Sequence, residues 1–170
     1  MKKSLLLGLA LLALNVSAVE KTEVLRDHLI GEWSCKITYP DMRLDSLDVI
    51  EFQQDGTSVG IGYLFFTDML AYETKHTGKW TFNNNILSES STDYVTVKVH
   101  SDATMRRINE DPQFREFEEQ FYQELSSENN SGASIDFEIS HIQGNNMAFK
   151  QILGNRKYPG LCKRTVRQNS

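Results

Sequence analysis

From Trp33 onward the apolar residues of this chain recur at every second position, a spacing that favours strands over helices through most of its length. The alternation falls into segments 33–39, 47–53, 58–66, 70–82, 86–91, 94–100, 134–143 and 147–153, with a last one at 161–166. Tight-turn signals stand between them: Asp55-Gly56, Asn83-Asn84-Asn85 and Gly144-Asn145-Asn146. Many short strands joined this way predict a mainly β domain. Its expected form is an antiparallel up-and-down meander closed into a barrel, or a sandwich.

Alternation also groups side chains by face. Val59, Ile61, Tyr63 and Phe65 share one face, as do Val95, Val97 and Val99. Leu70, Tyr72, Trp80 and Phe82 form another set, and Ile135, Phe137 and Ile139 a third that continues to His141. Gly60 and Gly62 lie opposite Tyr63 on their strand, where glycine permits the bending that a small barrel demands.

Two segments depart from the β period. Val24, Leu25, His28 and Leu29 have helical spacing and stop at Gly31, which predicts a short helix over 20–30. Further on, Asp111 can cap a helix that starts at Pro112. Phe114, Phe117, Phe121, Tyr122 and Leu125 then form one apolar stripe. The glutamates, with Glu118-Glu119 among them, are assigned to the solvated side, and the Ser- and Asn-rich run 126–134 reads as a return loop. This helix, 112–125, is expected to pack on the barrel or plug one mouth. A lid or a surface for a protein partner is the sharper alternative.

Lys2-Lys3, the apolar run from Leu5 to Leu14 and the small residues Val16-Ser17-Ala18 have the grammar of a cleavable secretory signal over 1–18. A membrane span needs about 20 apolar residues, roughly twice this run. With no cysteine near position 19 for lipid attachment, the expected address is the periplasm or the medium, and residues 19–170 form a single domain. The chain carries 18 Lys+Arg against 23 Asp+Glu, a net charge of −5. Loss of Lys2 and Lys3 takes this to about −7, a sign that repels phosphates and disfavours nucleic acid as a partner.

Export sets the redox conditions for Cys35 and Cys162, the two cysteines of the sequence, one on the first strand and one near the last. An even count in an oxidising compartment favours a disulfide, and two thiolates without clustered histidines are too few for a zinc site. If the two strands run antiparallel with Cys35 facing Cys162, Trp33 lies opposite Arg164, and a guanidinium over an indole is a favourable pair.

Gly31-Glu32-Trp33, after a short helix and at the head of the first strand, resembles the Gly-x-Trp signature of the lipocalins and their wider calycin relatives. In that family an arginine from a late strand packs across the signature tryptophan, and Arg164 holds the matching place. The stretches 52–57 and 78–87 are similar to the repeated hairpins of bacterial lipocalin-like domains. The resemblance implies a barrel of about eight to nine strands that holds a small apolar ligand such as a lipid or fatty acid.

Tyr63, Phe65, Tyr72, Trp80 and Phe137 are the candidate lining residues, with His141 and Gln151 to orient a polar end. The sequence has no nucleophile elbow, phosphate loop or His-Glu-x-x-His motif, and its four histidines are scattered. No catalytic residue, metal site or cofactor is therefore expected. The alternative function is that of a periplasmic inhibitor or immunity factor, in which an acidic barrel binds a cationic protein through helix 112–125 or the loop after it.

Overall fold

The computed structural model describes residues 24–67, 69–127 and 134–165. The proposed signal segment 1–18 lies outside the described residues, as do residues 20–23 of the expected first helix. Of that helix, a single 3-10 turn, Arg26–His28, is described.

Eight strands close into an antiparallel up-and-down barrel in sequence order. They are β1 (Gly31–Tyr39), β2 (Leu44–Phe52), β3 (Thr57–Phe66), β4 (Ala71–Asn83), β5 (Ile86–Lys98), β6 (Ser134–Gln143), β7 (Asn146–Leu153) and β8 (Arg156–Arg164). The segments 86–91 and 94–100, expected as separate strands, merge into β5, which ends at Lys98. An irregularity in the β4–β5 register between Thr77 and Gly78 leaves Thr92 as an extra residue and switches which parity of β5 faces inward. Between β5 and β6 stand α1 (Asp102–Glu110), which the sequence reading did not anticipate, and α2 (Pro112–Leu125). Asp111 caps α2 by accepting from the amides of Gln113 and Phe114, as its position before Pro112 predicts.

Strand β8 pairs with β1 so that Cys35 lies opposite Cys162 and Trp33 opposite Arg164. The disulfide forms across Cα atoms 4.0 Å apart, and the Arg164 guanidinium carbon sits 4.2 Å from the Trp33 ring centroid. Arg164 also donates to the carbonyls of His28 and Ile30, while Trp33 Nε1 donates to Leu29 O at 2.8 Å. These contacts seal one end of the barrel with Leu29, Trp33, Phe52 and Trp80.

The other end is covered by the helices. Leu70, Tyr72, Ile108 and Phe114 are buried together there, with Phe66, Phe121, Tyr122 and Leu125 packed against them. Glu118 corrects its assignment to the solvated side: it is 1% exposed. Its carboxylate accepts from Lys98 Nζ at 2.6 Å and Tyr72 Oη at 3.2 Å, and His100 Nε2 lies 3.2 Å away. A carboxylate can be buried here because three partners meet it.

The faces of β3 also differ from expectation. Val59, Ile61 and Phe65 point outward, with Phe65 41% exposed, and Tyr63 shares their face. The inward positions are Ser58, Gly60, Gly62, Leu64 and Phe66. An alternating apolar row identifies a face but not which face is inside, and on β3 the inner row is small because neighbouring strands fill the space above it.

Candidate ligand site in the barrel

A cavity of about 240 Å³ occupies the interior between the two packed ends. One wall is apolar, with Ile50, Leu87, Phe137, Met147, Phe149 and the disulfide cysteines facing it. The other is polar and is built from Ser46, Asp48, Thr74, His76, Glu89 and Tyr94.

Strand register assembles the polar wall. Asp48 of β2 lies opposite Gly62 of β3, and Gly62 opposite Thr74 of β4. Gly60 lies opposite His76, and His76 opposite Tyr94 of β5. A β-carbon on Gly60 would stand 2.4 Å from His76 Cε1, and one on Gly62 would stand 2.3 Å from Asp48 Oδ1. Nine in ten real β-carbons keep beyond 3.4 Å of such neighbours, so both positions need glycine for the polar side chains to lie flat across β3. The two glycines therefore make room inside the barrel, beyond any part they have in bending the strand.

Within the cluster, His76 Nε2 lies 3.1 Å from Glu89 Oε1, and Ser58 Oγ donates to the same oxygen at 2.6 Å. Ser46 donates to Asp48 Oδ2. Burial pushes the Asp48 carboxyl above its ordinary range, and the nearby Glu89 charge adds to the rise. Burial opposes the imidazolium of His76. The hydrogen bond and charge of Glu89, with the charge of Asp48, outweigh it and raise the His76 pKa.

Both serines donate to carboxylates rather than to the imidazole, so neither is aligned for activation by His76. Among the described residues no group of three His, Cys, Asp or Glu side chains could hold a metal ion. What the arrangement can do is accept hydrogen bonds from a bound molecule whose remaining surface is apolar.

Of the residues expected to line a ligand site, Phe137 and Gln151 do. The Gln151 amide oxygen accepts from the buried Tyr39 hydroxyl. Tyr63 and Phe65 lie on the outer face of β3. Tyr72 is fully buried beneath α2, where it meets Glu118, so it supports the cover rather than lining the cavity. Trp80 packs in the sealed end, 5.4 Å from Phe52 by ring centroids, with its Nε1 donating to Gln53 O. His141 is exposed, because a register shift in β6 between Ile139 and His141 turns the strand so that Ile142 takes the inward place.

Sequence reasoning missed Asp48, His76 and Glu89. A signal was present in the parity of β4: His76 is four residues before Trp80 and so shares its inward face.

The helix 112–125 spends most of its apolar stripe on the barrel. Phe114, Phe121, Tyr122 and Leu125 pack inward, while Phe117 is 52% exposed.

No protein-family model matches this chain, and no curated protein matches it either. Among solved structures it is similar to the crystal structure of Rv2717c from M. tuberculosis, at 9% identity and a TM-score of 0.31. That alignment covers 82% of this chain and 94% of the other.

Proposed function

We propose that this chain is an exported, non-enzymatic binding protein of lipocalin-like type that holds one small, largely apolar ligand inside its barrel. The observation that carries this reading is the 240 Å³ cavity with one apolar and one polar wall. An apolar cavity of about 150 Å³ admits benzene, and pockets for drug-sized molecules begin near 300 Å³. The ligand that fits is thus a short chain or a single ring with one polar end, smaller than a full-length lipid tail.

The lipocalin-like assignment draws support from the closed eight-stranded barrel and from Trp33 beneath Arg164. Export agrees with the Cys35–Cys162 disulfide and with the sequence of residues 1–18.

Native mass spectrometry of protein purified from its own periplasm tests the function. A retained small molecule is the expected result. An apo mass, combined with no uptake of hexan-1-ol, hexan-1-amine or hexanoate by the purified barrel, would sink the proposal.

A further inference from the structure

We infer that the cavity selects a ligand whose polar end is a protonated amine, seated on the Asp48–His76–Glu89 cluster with its apolar body against Phe137, Met147 and Phe149. This rests on the cavity being a ligand site, and it narrows the chemistry of what enters.

The argument is one of charge and donor count. Among the described residues lining the cavity there is no lysine or arginine; its charged groups are two carboxylates and one imidazole. With both carboxyls ionised, the lining is net negative by one charge when His76 is protonated and by two when it is neutral. A ligand carboxylate would add like charge at a site removed from bulk water, where that interaction is strongest. An ammonium reverses the sign.

Hydrogen-bonding capacity points the same way. The donors already facing the two carboxylates are the hydroxyls of Ser46 and Ser58 and one ring nitrogen of His76. Four carboxylate oxygens can accept more bonds than these supply, and an ammonium brings three donors and no acceptor. Gly60 and Gly62 leave the space in which the cluster lies, so the carboxylates stand at the cavity wall rather than behind bulky β3 side chains. The burial that holds Asp48 above its ordinary range is a cost that a bound cation relieves.

Three ligands of one chain length test this by isothermal titration at pH 7: hexan-1-amine, hexan-1-ol and hexanoate. The amine should bind at least tenfold more tightly than the alcohol, and hexanoate more weakly than the alcohol. In Asp48→Asn or Glu89→Gln the gap between amine and alcohol should shrink to threefold or less. The Met147 methyl resonance should move as the amine binds. Amine no tighter than alcohol, hexanoate at least as tight as alcohol, or resonance shifts confined to the outer strand face would each overturn the inference while leaving the cavity reading standing. No binding by any of the three overturns both. If neither variant folds, the ranking on the unmodified protein decides.

Discussion

His76 and Gly60 face each other across the β3–β4 ladder so closely that the imidazole occupies the volume a β-carbon of residue 60 would need. The ring cannot simply swing away, because Glu89 holds its Nε2 at 3.1 Å. Gly60→Ala should therefore cost about 1–3 kcal/mol, the range for overpacking a filled interior. Urea unfolding checks the loss. An NMR titration should also show the His76 pKa falling as its contact with Glu89 is broken.

The same cluster sets a pH dependence. Asp48 and His76 both have raised pKa values in the folded barrel, facing each other, Glu89 and, for Asp48, Ser46. A raised group gives stability that is full below its unfolded value and is lost as the pH rises through its folded value. The loss begins above 3.8 for Asp48 and above 6.5 for His76. Ligand-free protein should therefore be more stable relative to Asp48→Asn at pH 4 than at pH 7. Between pH 6 and 8 the decline in the denaturation midpoint should be steeper for the unmodified chain than for Glu89→Gln. Parallel curves for all three proteins would remove the role given to these groups.

Glu118 predicts the opposite sign. Burial alone would raise its pKa, but Lys98, His100 and Tyr72 together hold it below the ordinary value of 4.5. Its contribution is present above that value and disappears as the pH falls through the lowered one. Acid should thus loosen α2 from the barrel, seen as faster hydrogen exchange in 112–125 before the strands respond. Glu118→Gln should cost about 2 kcal/mol, the scale of a hydrogen bond to a charged group, and should abolish the acid step.

The disulfide joins residues 127 positions apart. Replacing both Cys35 and Cys162 by serine should lower stability by up to about 5 kcal/mol in the chain-entropy account. Because the β1–β8 ladder has its own register, circular dichroism of the variant at low temperature should still report a folded β protein.

How much of this was legible before folding depended on what fixed each residue. The β1–β8 register could be read because a covalent constraint and an indole–guanidinium pair demand the same alignment. Glu118 was legible too: at i+4 from Phe114 and i−3 from Phe121 it falls inside the apolar stripe, although its charge suggested otherwise. The inner and outer faces of β3 were not, because apolar side chains on its outer face alternate as cleanly as core residues do. His141 and the upper half of β5 depended on register shifts, which reverse parity without a distinctive sequence. The Asp48–His76–Glu89 cluster draws on three strands, so it emerges only when every register between them is known.

The placement of the disulfide has a mechanical consequence. Among the described residues, the β1–β8 and β5–β6 seams have five register pairs each. The first is bolted by Cys35–Cys162, whereas the second has no covalent link, and further along β5 the Thr96 carbonyl accepts from the Tyr122 hydroxyl of α2. Cavity-lining Ser91, Tyr94 and Ile135 lie beside that second seam. A cylinder riveted along one join and without a covalent link along the other should part first at the second, where local opening would expose the interior while the rivet holds the ring together.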